Sequence, residues 1–199
     1  MSDWKGKFIT IYGINGIGKT TQTTTLHSRI GGLLIKYPIY DLAPSGPILN
    51  AYLRKGNPYK LTPREAQMFY AMNRTQYEPR LIQSINENHA KYIIAEDYTG
   101  TGIAWGIGTG VDKKFLLEIN SHLLKEDISI VMIGERFETG VEKDHKHEKN
   151  LELTRRVNDI HLELAKEFGW HIINANQSKE KVHKDIWEIV SKELGYLTV

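Results

Sequence analysis

The chain has 199 residues, which suits one domain with a sizeable core. Its 40% hydrophobic and 25% charged content excludes a disordered, collagen-like or coiled-coil chain, and zero cysteines remove disulfides, thiol catalysis and cysteine-type zinc sites together. A net charge of +2 gives no argument for nucleic acid or a membrane surface, and no apolar run approaches the roughly 18–20 residues that span a bilayer. With no signal-peptide layout in residues 1–7, the expectation is a cytoplasmic protein.

In chain order, Phe8-Ile9-Thr10-Ile11-Tyr12 is a β-branched and aromatic run that stops at Gly13, as a buried strand does. A glycine-rich turn leads into a helix over 20–30, closed by Gly31-Gly32. A second strand over 33–37 ends at Pro38; 40–47, with two prolines and a glycine, reads as a loop, and 48–53 as a short helix. Thr62-Pro63-Arg64-Glu65 starts a helix with a Thr cap, Pro in the first turn and an acid three residues on; the helix runs to about 88, with a bend at Pro79. Further strands fall at 92–95, 128–133 and 171–173, and further helices at 113–124, 151–168 and 179–194. Short apolar strands alternating with helices predict an α/β fold with a mostly parallel sheet. Residues 135–150 are charged, carry histidines and are poor in aliphatics, an excursion rather than core.

Gly13-Ile14-Asn15-Gly16-Ile17-Gly18-Lys19-Thr20 matches G-x-x-x-x-G-K-[ST] at every fixed position, between a buried strand and a helix. Glycines let backbone N–H groups turn inward around phosphates, and the helix N-terminus adds a favourable dipole. Residues Gly13, Asn15, Gly16, Ile17, Gly18, Lys19, Thr20 and Thr21 are therefore the expected ATP-binding set. Lys19 reaches the β- and γ-phosphates, and the Thr20 hydroxyl ligates Mg²⁺. The guanine-reading tetrapeptide N-K-x-D is absent, which argues against a GTPase. Tyr92-Ile93-Ile94-Ala95-Glu96-Asp97 can serve as a strand ending in metal-side carboxylates, so a generic ATPase stays open. A small kinase suits the length better than a motor ATPase.

Several segments together resemble the thymidylate kinase family. Gly13 to Gln22 is similar to its G-x-D-G-x-G-K-T-T-Q opening, Tyr37-Pro38-Ile39-Tyr40 to its F-P-R-Y loop, and Phe69-Tyr70-Ala71-Met72-Asn73-Arg74 to its base-binding helix segment. Glu96-Asp97-Tyr98 and the small-residue run to Trp105 stand where the family has D-R-Y with Ser/Gly, Ala and an aromatic; Ile173-Asn174-Ala175 resembles its I-D-A strand end. The resemblance covers about residues 8–190 in order. It implies a P-loop NTPase fold, a five-stranded parallel sheet with helices on both faces, as a single kinase domain over 1–199 with a lid-like segment over 134–150. It also implies transfer of the ATP γ-phosphoryl group to a deoxynucleoside monophosphate, dTMP first, with Mg²⁺ and small-molecule nucleotides as the only partners besides a second copy in a homodimer. A deoxynucleoside kinase and a non-catalytic nucleotide-binding protein remain the alternatives.

By the same resemblance Tyr70 stacks on the acceptor base, Arg74, one turn on, grips its edge, and Asn15, Tyr40, Asp97, Tyr98, Thr101 and Trp105 complete the acceptor pocket. Lys19, Glu96 and Arg155 form the catalytic set, and Thr20 and Glu96 the metal side; Arg156 is a further candidate for phosphate or adenine. Two positions depart from the family: Ile39 and Asp97 stand where arginines grip the acceptor phosphate. Lys36, Arg54 and Arg80 are the candidate replacements. The lid-like segment has Arg136 as its arginine, with Lys143, Lys146 and Lys149 as point charges, and the alternating spacing of Asp144, His145 and His147 does not by itself make a metal site.

Overall fold

The computed structural model describes residues 6–86, 91–137 and 150–196. Five strands, β1 (Lys7–Tyr12), β2 (Leu33–Lys36), β3 (Tyr92–Glu96), β4 (Ile128–Ile133) and β5 (His171–Asn174), form one sheet in the order β2-β3-β1-β4-β5. Every pairing is parallel, so each connection must cross over through a helix. The crossovers are α1 (Lys19–Ile30), α2 (Ser45–Arg54), α3 (Pro63–Asn86), α4 (Thr99–Gly108), α5 (Lys113–Asn120) and α6 (Leu151–Phe168), and α7 (Lys179–Glu193) follows the last strand.

Alternation along β1 divides the core. Ile9 and Ile11 pack with Leu26 of α1 and with Val182, Ile186 and Val190 of α7. Phe8 and Tyr12 pack with Leu81 and Ile85 of α3. These are the two layers of an α/β sandwich around a sheet buried on both faces, as expected from the near-continuous apolar strands.

The predicted elements are present, with differences that have physical causes. The stretch taken as a loop over 40–47 becomes helical at Ser45, which puts Pro47 in the first turn of α2, where its missing N–H costs nothing. Helix α5 stops at Asn120, short of the predicted 124. Thr62 and Glu65 form the capping box read from the sequence: Thr62 N donates to Glu65 Oε2 at 2.7 Å and Glu65 N to Thr62 Oγ1 at 3.2 Å.

Helix α4 is not among the elements the sequence predicts, because TGTGIAWGIG carries four glycines, each costing about 1 kcal/mol against alanine. Packing overrides propensity here. A Cβ at Gly106 would meet Leu116 at 2.7 Å, and one at Gly108 would meet Val157 at 2.5 Å. The glycines let α4 lie directly against α5 and α6.

His161 of α6 is fully buried and hydrogen-bonded through Nδ1 to the Val157 carbonyl at 2.9 Å. Burial pushes its imidazole down to about 3, with the Val157 bond opposing and the Lys19 charge adding to the shift. Between that value and the unfolded value of about 6.5, the unfolded chain binds more protons, so stability is lost as pH falls through this window. Urea midpoints are expected to drop from pH 7 to pH 4, and the slope is expected to flatten in His161→Gln.

Candidate active site

The parallel register brings three strand ends to one level. Ile11 of β1 is opposite Glu96 of β3, which in turn is opposite Lys36 of β2. Backbone bonds extend the alignment past the strands, with Asp97 N donating to Ile11 O at 3.1 Å and Tyr37 N to Glu96 O at 3.0 Å. The phosphate-binding loop leaves β1 at the same end, where open α/β sheets bind their ligands.

That loop needs its glycines. Gly13 has φ +142°, and a Cβ there would approach the Met132 carbonyl to 2.7 Å. Gly18 is the left-handed N-cap of α1 and provides no side-chain cap. With no acidic residue in its first turn, α1 presents its N-terminal N–H groups and dipole to an anion. Lys19 lies back along the loop, donating to the carbonyls of Gly13 at 2.8 Å and Ile14 at 2.9 Å, with Asp97 Oδ1 at 3.6 Å.

Thr20 Oγ1 donates to Glu96 Oε1 at 2.9 Å, and the Lys36 ammonium lies 2.8 Å from the same carboxylate oxygen. Beside them, Asp97 is left-handed (φ +62°), only 13% exposed, and accepts from Thr101 Oγ1 at 2.6 Å. Burial raises its carboxyl above the ordinary range; the Lys19 charge opposes that, and the Glu96 charge reinforces it. Two lysines thus face two carboxylates at the strand ends.

A cavity of about 380 Å³ opens from this cluster, within the range of small-molecule sites. Of the expected ATP-binding set, Asn15, Gly16, Gly18, Lys19, Thr20 and Thr21 line it. Ile17 does not: its side chain is wholly in the core, and Gly13 takes part through its carbonyl to Lys19. All eight expected acceptor residues, Asn15, Tyr40, Tyr70, Arg74, Asp97, Tyr98, Thr101 and Trp105, are at the wall. Arg155 is not brought there; it is exposed on α6, as is Arg156. Residues 138–149, and with them Lys143, Asp144, His145, Lys146, His147 and Lys149, lie outside the described residues.

At the departures from the family pattern, Ile39 packs against the Phe8–Tyr12 core and Tyr40 takes the cavity position instead. Lys36 and Arg54 reach the cavity and Arg80 does not; the Arg54 guanidinium lies 4.4 Å from the Tyr40 ring centroid. Gln67 and Phe137 are lining residues that sequence reasoning missed. Gln67 had a legible signal, since 67, 70 and 74 fall on one face of a helix. Phe137 had none, because it reaches the loop by a contact remote in sequence, its N–H donating to Gly16 O at 2.9 Å.

Arg74 is 4% exposed and held by Asn120 Oδ1 at 2.9 Å. Burial lowers its guanidinium from the ordinary value, while the surrounding tyrosines oppose that shift. Around the cavity, Arg74 Nε, Gln67 Oε1 and the hydroxyls of Tyr37 and Tyr98 are buried without hydrogen-bond partners among the described residues. A cavity wall carrying unmatched donors and acceptors suits a polar, planar ligand.

The family profile for thymidylate kinase matches residues 11–186. The chain belongs to the thymidylate kinase family. It is 26% identical over 201 residues to the thymidylate kinase of Dictyostelium discoideum, spanning 95% of this chain and 86% of that one. It is 28% identical to a probable thymidylate kinase of Pyrobaculum aerophilum, spanning 95% of this chain and 98% of the relative. The fold matches the solved thymidylate kinase of Candida albicans with a TM-score of 0.78 at 24% identity, covering 98% of this chain and 95% of the other. No helix among the described residues is long and apolar enough to cross a membrane.

Gly102 is the point where α4 admits Arg74: a Cβ there would lie 2.3 Å from the guanidinium Nη2. Gly102→Ala is expected to displace Arg74 from Asn120 and cost about 1–3 kcal/mol, read as a lowered denaturant midpoint.

Proposed function

We propose that the protein transfers the γ-phosphoryl group of ATP to dTMP, giving ADP and dTDP. One observation carries the reading: a single cavity joins the phosphate-binding loop to Tyr70 and Arg74, so donor and acceptor would meet over Lys19. Family membership supports the choice of acceptor. Phosphoryl transfer asks little covalent chemistry of a protein and much positioning and charge neutralisation. In this account the loop N–H groups and the α1 N-terminus hold the triphosphate. Lys19 leaves the Gly13 and Ile14 carbonyls for the β- and γ-phosphates, where its charge is needed most as the γ-phosphoryl separates.

Thr20 Oγ1 and the Glu96 carboxylate are hard oxygen donors at hydrogen-bond distance, and the described residues hold no group of three or more acidic or histidine side chains that would cage a metal alone. That donor set fits Mg²⁺, which keeps waters and takes its other ligands from substrate phosphates. Bound there, the ion would neutralise charge on the β- and γ-phosphates.

On the acceptor side, the Tyr70 ring offers a stacking face. Arg74 Nε and Gln67 Oε1, a donor and an acceptor without partners, match the adjacent carbonyl and ring N–H of thymine. Asn15, Tyr40, Tyr98, Thr101 and Trp105 enclose sugar and base, with Arg54 over Tyr40 as a phosphate-side cation. The reading carries one kinase domain over 1–199 with a lid-like segment over 134–150, of which 138–149 lie outside the described residues, a cytoplasmic location and a homodimer. Met68 and Met72, exposed one turn apart on α3, support the dimer, and sedimentation at several concentrations tests it.

The decisive experiment is a coupled ADP-release assay over dNMPs and deoxynucleosides: turnover with dTMP is expected, and turnover with nucleosides alone would replace the acceptor. Lys19→Met is expected to lower kcat at least about a hundredfold at unchanged fold, by loss of a charge acting on the transferring group. Arg74→Ala and Gln67→Leu are expected to raise the dTMP KM about tenfold each while leaving the ATP KM near wild type; equal effects on both substrates would remove these residues from the base site.

A further inference from the structure

Lys36 occupies an unusual place. It is the last residue of β2, and the strand register sets it directly across from Glu96. Its ammonium lies 2.8 Å from Glu96 Oε1 and 3.3 Å from Thr20 Oγ1, while Thr20 donates to that same Glu96 oxygen at 2.9 Å. The three polar groups close a triangle. Its two oxygen corners are the metal-side donors of the proposed function, and its third is a cation.

We propose that Lys36 is an acceptor-phosphate cation of this protein, held on Glu96 and Thr20 until a divalent ion with its nucleotide displaces it. The proposal rests on the phosphotransfer reading above. A second cation on the same two oxygens repels the ammonium at close range, and Lys36 can leave: its side chain is 57% exposed, on a flexible four-carbon stem. Where it can go is constrained. Lys36 lines the same cavity as Tyr40, Arg54 and Asp97, on the acceptor side of the phosphate-binding loop. That side is short of cations: Asp97 places a carboxylate there, Ile39 packs against the core, and the Arg54 guanidinium is drawn over the Tyr40 ring. Lys19 is committed to the donor side: 4% exposed, its ammonium rests on the Gly13 and Ile14 carbonyls, from which it turns to the β- and γ-phosphates of ATP. Among the lysines at the strand ends, Lys36 is the one with the reach and the exposure to move toward a monophosphate.

Such an exchange couples two binding events. Metal–nucleotide binding releases the cation that the acceptor phosphate requires, so each ligand should strengthen the other, and by linkage the factor is the same in both directions. A nucleoside without a phosphate has nothing for the released ammonium to hold, so the coupling should be absent for it.

The test is calorimetric, on the full chain with the non-hydrolysable analogue AMP-PNP, measuring Kd for dTMP and for thymidine with Mg²⁺ and with EDTA. Wild-type protein should bind dTMP about tenfold tighter with Mg²⁺, and thymidine equally in both conditions. In Lys36→Met, checked for folding by its melting curve, dTMP affinity with Mg²⁺ should fall about tenfold and its metal dependence should vanish, with thymidine unaffected. Free Mn²⁺ followed by electron paramagnetic resonance should show the same variant binding the ion several-fold tighter, because its competitor is gone. Lys36→Arg should restore dTMP binding. Unchanged dTMP affinity in Lys36→Met, or Mn²⁺ binding that is unchanged or weaker, would overturn the proposal. Wild-type protein that binds dTMP with metal-independent affinity would overturn it alone, whereas protein that binds thymidine and never dTMP would overturn the acceptor reading and the proposal together.

Discussion

The site depends on the register of three parallel strands. Hydrogen bonding between β1 and β3 puts Ile11 opposite Glu96, and bonding between β3 and β2 puts Glu96 opposite Lys36. Because the strands run the same way, their C-terminal ends finish together, and the groups that follow each end share one space. The phosphate-binding loop after β1, the carboxylates at the end of β3 and the lysine at the end of β2 meet for that reason. A slip of one residue in either pairing would send the side chains to the opposite faces of the sheet. The fully buried alternation of Phe8, Ile9, Ile11 and Tyr12 between two cores guards against it.

Electrostatics at those ends explains how the buried carboxylate of Asp97, one departure from the family pattern, is accommodated. Asp97, mostly buried and in a left-handed conformation, would be costly as an isolated charge. Lys19 at 3.6 Å and the Thr101 hydroxyl stabilise it, and Lys36 does the same for Glu96. Charge neutrality is reached with two lysines and two carboxylates. Breaking such a pair by removing one partner costs more than the pair contributes, so these four residues behave as a unit. In the proposed reaction, the same balance would give Lys19 and Lys36 alternative partners once phosphates enter.

The acceptor side is built on a different principle, close backbone approach. Helix α4 packs through glycines against α5, α6 and the Arg74 guanidinium, with Trp105 as its large side chain toward the cavity. A glycine-rich helix is a poor helix by propensity, and it forms because burial and close packing outweigh that cost. The helix would not hold if its neighbours were absent, and Arg74 would lose the narrow slot that fixes it beside Asn120.

Local chemistry was legible in the chain. The strands are runs of β-branched and aromatic residues, Thr62 and Glu65 announced a helix start, and the glycine spacing from 13 to 18 before Lys19 and Thr20 marked an anion site, because each signal is a short-range stereochemical requirement carried by neighbouring residues. The family resemblance singled out Tyr70 and Arg74, and helical periodicity sets them on one face. What spacing could not supply was decided by tertiary structure. Tyr40 rather than Ile39 faces the cavity, Arg155 stays outside it, and Lys36 shares its carboxylate partner with Thr20. Each of these turns on which strands pair and which helix packs against which, contacts between residues 16 to more than 70 positions apart that no local pattern encodes.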